Sequence, residues 1–236
     1  DRIQANERFA ADVAHELKNP LTAARSTAES LVYAKTDEQR NQLVAQIQVE
    51  IKRLNRLITD VSNASRLDAE LALQQTEPVD LSAVTSGIVA TFRDILSDTS
   101  KTISIDIATS SADRALVVEG HEGRISQVMT NLIDNALSFS PDDGAVKVIL
   151  QRRGPQVEIV VEDQGPGIDD NKLETVFDRF YTYRPTAYSS RGTNSGLGLS
   201  ISREIVRAHG GKVWAENRFA DGTSGARIGA RFVVQL

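Results

Sequence analysis

Residues 12–20 read DVAHELKNP, and the apolar residues around them recur at helical spacing. With Phe9 set to zero and about 100° per residue, Val13, Leu17, Leu21, Ala24, Ala28 and Leu31 fall within an arc of roughly 120°, the stripe an amphipathic helix buries. His15 lies roughly 170° from the centre of that arc, on the face turned to water, and Asn19 shares its face one turn on. Folding requires no histidine there. A solvated imidazole with a carboxylate beside it (Glu16) and an amide one turn later reads as a reaction site.

Working outward, the apolar pattern runs from Arg2 to about Tyr33 and breaks at KTDEQ (35–39). Thr36 is suited to cap a second helix ahead of Glu38 and Gln39. That helix carries Leu43, Ile47, Ile51, Leu54, Ile58 and Val61 at spacings of four, four, three, four and three, close to a heptad seam. Pro20 removes one backbone hydrogen bond from the first helix and is expected to bend it just past His15. Two helices joined by a short turn form an antiparallel hairpin, which cannot hide both apolar faces alone. Pairing of two hairpins into a dimeric four-helix bundle would hide them. The alternative is a single hairpin packed on the second half of the chain.

Composition sets bounds. The chain has 236 residues, 40% hydrophobic and 25% charged, which suits one or two globular domains. A net charge of −5 and a pI near 5.3 argue against nucleic acid as the main partner. No apolar stretch approaches the roughly 20 residues of a membrane helix, and no signal-peptide pattern opens the chain. With no cysteine there is neither a disulfide framework nor a thiolate metal site, and three histidines far apart argue against zinc.

The polar stretch QQTEPVD (74–80) reads as a linker, dividing a helical hairpin (1–73) from a second domain (81–236). In the second domain TISIDIA (102–108), ALVVEG (115–120), VKVILQRR (146–153) and VEIVVED (157–163) are strand-like. ISQVMTNLIDNALSF (125–139) and SGLGLSISREIVRAHG (195–210) are helical patterns, and KVWAEN (212–217) and ARIGARFVVQL (226–236) close the sheet. The whole predicts an α+β sandwich. Thr182 to Asn194, polar with Pro185 and Gly192, predicts a mobile loop.

Three segments there carry chemistry. In DQGPGID (163–169), Gly165 and Gly167 permit close backbone approach, and Asp163 ends the strand with a carboxylate that could accept from an exocyclic amine such as that of adenine. A plain Asp-Gly turn is the alternative. In GTNSGLGLSISREIVRAHGG (192–211), glycines 192, 196 and 198 open a helix whose free N–H groups attract phosphate; the spacing is neither a dinucleotide fingerprint nor a P-loop. A flexible loop running into a helix would look the same. Asn131 and Asn135, one turn apart in NLIDNA (131–136), offer neutral oxygens suited to Mg²⁺, or are a capped or solvated pair.

Taken in order, residues 9–23, 131–139, 163–169, 177–184 and 192–211 resemble the histidine, asparagine, first glycine, phenylalanine and second glycine boxes of bacterial sensor histidine kinases. The resemblance covers essentially the whole chain. The hairpin looks like the dimerisation and histidine-phosphotransfer domain, and the rest like the α/β-sandwich ATP-binding domain of the GHKL (Bergerat) fold shared with gyrase, Hsp90 and MutL. FAADVAHELKNPLT (9–22), with SRLDAEL (65–71) ending the second helix, looks most like ChvG-type envelope sensor kinases of α-proteobacteria.

The resemblance implies roles. His15 takes the γ-phosphoryl group of ATP, and Glu16 accepts a hydrogen bond from its other ring N–H. Asn19 orients the water that dephosphorylates a partner response-regulator receiver domain. Asn135 is the Mg²⁺ ligand, and Asn131 stands where the superfamily's ATPases carry a water-activating Glu. Asp163 reads adenine in a pocket shaped by Gly165, Gly167 and Ile168. Thr193, Ser195, Gly196, Leu197, Gly198 and Leu199 cradle the phosphates under a lid at 182–194, with Phe180 nearby. Ser138 and Phe139 stand where a basic residue and Tyr are common, and Thr182 where Arg is frequent, so Arg184 or Arg179 is the expected phosphate contact. The resemblance further implies a homodimer excised from the cytoplasmic side of an inner-membrane receptor, since DRIQANER (1–8) lacks a start methionine and reads as continuing an upstream helix. Competing readings are a GHKL-type ATPase and a nucleotide-gated dimeric scaffold without phosphotransfer.

Overall fold

A computed structural model describes residues 2–73, 76–108, 116–182, 195–220 and 225–236. Helix α1 (Arg2–Ser30) ends in a 3₁₀ turn (Leu31–Tyr33), and α2 (Asp37–Leu73) returns beside it. The turn is capped as its residues predict: Gln39 N–H donates to Thr36 Oγ1 at 3.1 Å, and Lys35 N–H donates to Gln39 Oε1 at 3.0 Å. Pro20 lies inside α1 and is buried. Val13, Leu17, Ala24 and Leu31 are half-buried, as are Leu43, Ile47, Leu54 and Val61. Leu21, Ile51 and Ile58 keep 61%, 50% and 52% of their surface exposed. The apolar stripes are therefore divided, one part closing the hairpin and another bare in a single chain.

The second unit begins earlier than its composition suggests. Glu77–Asp80, within the stretch read as linker, forms strand β1, which pairs antiparallel with β3 (Val117–Gly120) as a two-stranded ribbon apart from the main sheet. Helix α3 (Leu81–Leu96), which the sequence reading did not pick out, follows at once. Asp80 caps it by accepting from the N–H groups of Ser82 (2.9 Å) and Ala83 (3.3 Å). The remaining elements are β2 (Thr102–Ile107), α4 (Glu122–Phe139), β4 (Ala145–Arg153), β5 (Gln156–Glu162), α5 (Gly198–Ala208), β6 (Lys212–Phe219) and β7 (Arg227–Gln235).

The main sheet has the order β2-β4-β5-β7-β6, with β2 parallel to β4 and the other pairs antiparallel. Alternate residues Val146, Val148 and Leu150, Ile159 and Val161, and Phe232 and Val234 share one sheet face. They join a single core with Met129, Leu132, Ile133 and Ala136 of α4 and Ile201 and Ile205 of α5. Helices over one face of a mixed sheet give the expected α/β sandwich. Its packing fixes α4, the end of β5 and the start of α5 around one cleft.

Candidate functional site

A cavity of about 220 Å³ opens between α4, the segment after β5, the start of α5 and β7. At its floor Asp163 is only 3% exposed. Its Oδ1 accepts from the N–H groups of Gly165 (2.8 Å) and Ala230 (2.9 Å). Burial pushes its carboxyl above the usual range, more than these two bonds and the charge of Arg218 pull it down.

Two residues missed in the sequence fix this floor. A Cβ on Gly229 would lie 2.0 Å from the Asp163 carbonyl oxygen, so only glycine lets β7 approach so closely. Asn217 clamps the glycine-rich segment: its Oδ1 accepts from Ile168 N–H and its Nδ2 donates to Ile168 O, both at 2.7 Å. The one signal for Gly229 was a lone glycine inside an apolar strand pattern; Asn217 gave none.

At the other end Asn131 and Asn135 face the cavity from successive turns of α4. Asn131 Nδ2 donates to Gly198 O (3.0 Å) and to Ser202 Oγ (3.3 Å), tying α4 to the first turn of α5. Ser195 Oγ accepts from Leu197 N–H at 3.1 Å. Phe180 holds a φ of +61° and donates its N–H to Gly196 O at 3.0 Å. This close approach leaves Gly196 no room for a Cβ, which would lie 2.8 Å from the Phe180 carbonyl carbon.

Of the residues expected around nucleotide, Asn131, Asn135, Phe139, Asp163, Gly167, Ile168, Ser195, Gly196, Gly198 and Leu199 line the cavity. Four do not. Ser138 Oγ is turned to its own helix, donating to Asn135 O at 2.8 Å. Leu197 is fully buried in the core. Gly165 supports Asp163 from behind. Phe180 stacks on Phe9 of α1, with centroids 6.1 Å apart. Arg184, Thr193 and most of the expected lid lie outside the described residues. Arg179, the other expected phosphate contact, pairs with Glu204 and places its guanidinium 4.9 Å from the Phe9 ring centre.

The hairpin of the same chain closes one side of the cavity. Leu57 of α2 is 1% exposed. Arg56 pairs with Asp134 of α4, and Asp60 accepts a hydrogen bond from Ser195 Oγ. Both Arg56 and Asp60 line the cavity. Burial holds the carboxyls of Asp60 and Asp134 above their ordinary values, outweighing the attraction of Arg56. On α1, His15 and Asn19 are exposed as the helical wheel predicted. Glu16 is half-buried and faces Arg53 of α2 at 3.9 Å.

A buried carboxylate acceptor, paired amides and a glycine-opened helix start around one cleft define a nucleotide-binding domain of the GHKL class, here joined to a hairpin that bears an exposed histidine. The comparisons agree. Residues 120–236 match the family model of histidine kinase-, DNA gyrase B-, and HSP90-like ATPases, and residues 5–70 match that of the His Kinase A (phospho-acceptor) domain. The chain belongs to the sensor histidine kinases, as a catalytic core of the ChvG type. It is 48% identical to the sensor protein ChvG of Agrobacterium fabrum over 100% of this chain and 40% of that protein. The ChvG of Rhizobium meliloti is 47% identical, again over 100% of this chain and 41% of the relative. The chain thus spans about two fifths of these relatives' length. Among solved structures, the mycobacterial sensor histidine kinase MprB is similar at 28% identity, covering 68% of this chain and 96% of that one, with a TM-score of 0.56. The histidine kinase ThkA, solved in complex with the response regulator TrrA, shares the fold at 24% identity over 100% of this chain and 62% of its own, with a TM-score of 0.74.

Proposed function

We propose that the chain is a histidine kinase core that phosphorylates His15 from Mg-ATP and passes the phosphoryl group to an aspartate of a response-regulator receiver domain. The observation that carries this reading is spatial. An exposed imidazole stands on a hairpin whose other helix forms one wall of a cavity floored by the buried carboxylate of Asp163. Domain membership supports it.

In the first step a ring nitrogen of His15 bonds to the γ-phosphorus as the bond to the ADP oxygen breaks. A neutral imidazole is nucleophilic near pH 7 without a strong base. Glu16, beside it and held by Arg53, is the carboxylate we assign to receive the remaining ring N–H and stabilise the imidazolium. Asp163 accepts from the exocyclic amine of adenine, and Gly167 and Ile168 bound the base. Ser195, Gly196 and Gly198 present the start of α5 to the phosphates. The oxygen donors facing the cavity suit a hard cation, and Asn135 would hold Mg²⁺ there. When bound, that ion neutralises phosphate charge. Asn131 is bonded to Gly198 and Ser202 and has no basicity to offer a water, so transfer to His15 outruns hydrolysis.

We assign Asn19 to orienting water for dephosphorylation of the receiver, and the bare apolar faces of the hairpin to a homodimer. Residues 1–73 then form the dimerisation and phosphotransfer unit and 77–236, beginning at β1, the ATP-binding unit, on the cytoplasmic side of an inner-membrane receptor. Incubation with γ-labelled ATP and Mg²⁺ should give acid-labile, alkali-stable label that is lost in His15→Gln. Steady ATP turnover without phosphoprotein would favour the ATPase reading instead.

A further inference from the structure

Phosphoryl transfer spreads negative charge over three equatorial oxygens, and catalysis depends on cations aimed at them. Among the described residues lining the cavity, the cationic side chains are Arg56, Lys172 and Arg227. Arg227 pairs with Asp170 at 3.0 Å, and its Cδ lies 3.2 Å from where a Gly167 Cβ would be, at the Asp163 end. Lys172 faces Asp169 at 3.8 Å, beside the same segment. Arg56 stands at the other end. It pairs with Asp134, next in sequence to Asn135, and lies one turn of α2 from Asp60, which holds Ser195.

Arg56 is also near the phosphoacceptor's level on the hairpin. Arg53 reaches Glu16, the neighbour of His15, at 3.9 Å. Three residues further along α2 is a rise of only about 4.5 Å. Arg56 therefore lies close to the plane of His15 and lines the nucleotide cavity at once. A guanidinium suits this place, being always charged and offering a planar fork to phosphate oxygens.

We propose that Arg56 is a catalytic residue supplied by the hairpin, its guanidinium passing from Asp134 to the terminal phosphate oxygens of ATP as the phosphoryl group moves to His15. This rests on the kinase reading above. The His15 nitrogen–phosphorus bond forms as the bond to the ADP oxygen breaks, and Arg56 keeps all its protons throughout. Asp134 holds the fork at the edge of the cavity, so its orientation is set beforehand.

The test is single-turnover phosphorylation at saturating Mg-ATP, with ADP affinity measured by calorimetry on each variant to show that the nucleotide domain is folded. Arg56→Gln should slow labelling roughly a hundredfold to a thousandfold, with ADP affinity within about twofold of wild type because ADP lacks the terminal phosphate. Arg56→Lys should regain part of the rate. Asp134→Asn, which breaks the same ion pair but keeps the guanidinium, should stay at least about tenfold faster than Arg56→Gln. Labelling of Arg56→Gln at the wild-type rate overturns the proposal, and so does Asp134→Asn falling as low as Arg56→Gln, since the ion pair alone would then explain the effect. An unlabelled wild type overturns the kinase reading and this assignment with it.

Discussion

Asp60 of α2 and Ser195 at the approach to α5 share a hydrogen bond that seats the hairpin on the rim of the nucleotide cavity. Ser195 Oγ also accepts from Leu197 N–H, so the carboxylate sits where the first amides of α5 draw anions. A phosphate group arriving there meets a tethered negative charge. Asp60→Ala should therefore bind ADP more tightly, by roughly five- to tenfold, or about 1–1.4 kcal/mol. Calorimetry checks this, and unchanged or weaker binding contradicts it.

Asp163 should cost stability in exchange for recognition. Burial raises its carboxyl pKa, so the folded chain holds that proton more tightly than the unfolded chain does. Its contribution to stability is complete below the ordinary value of 3.8 and is lost as pH rises through the higher folded value. Above the ordinary value the raised pKa weighs against the fold. Asp163→Asn keeps an oxygen for the Gly165 and Ala230 N–H groups, and should match or exceed wild type in urea stability at pH 7, the gap closing towards pH 4. Nucleotide binding should fall at least about tenfold, since the amide is a poorer acceptor for an amine. A variant less stable at pH 7 than at pH 4, relative to wild type, contradicts this.

Gly229 is a packing requirement of the same floor. Alanine there must push β7 and the Asp163 backbone apart, because its Cβ would start 2.0 Å from a carbonyl oxygen. Gly229→Ala should destabilise the chain by about 1–3 kcal/mol and weaken ADP binding together with it. Wild-type affinity and stability in this variant would show that the strand yields freely.

The bare hairpin faces predict self-association. Leu21 and Ile58 are more than half exposed in one chain, and apolar helix faces of this kind pair into bundles. Sedimentation should report a dimer for wild type and monomer for Leu21→Glu combined with Ile58→Glu. A monomeric wild type, or an unaffected dimer in the variant, contradicts the assignment.

Strong local periodicity was readable. The helical wheel placed His15 and Asn19 on the wet face, and Thr36 as a cap, because both follow from spacing within a few residues. The asparagine pair and the two glycine-rich segments were each visible locally, whereas their meeting at one cavity was what the family resemblance implied. What depended on distant partners was not readable. The residues of β1 include Pro78 and look like linker until Val117–Gly120 pairs with them. Gly229 is constrained by Asp163, far away in sequence. Phe180 belongs to a motif associated with nucleotide, yet its ring meets Phe9 instead. Arg56 lies off the apolar seam of α2 among other charged residues, and only docking of the hairpin on α4 gives it a neighbour that suggests a role.

Site mapping tests the central claim most directly. The chain has three histidines, of which His15 is exposed, whereas His121 and His209 are half-buried against each other, with ring centres 5.4 Å apart. After brief incubation with Mg-ATP, tandem mass spectrometry under neutral conditions should find phosphate on the peptide carrying His15 and on no other. Phosphate on a different residue, or none despite ATP consumption, would contradict transfer to the solvent-facing imidazole of the hairpin.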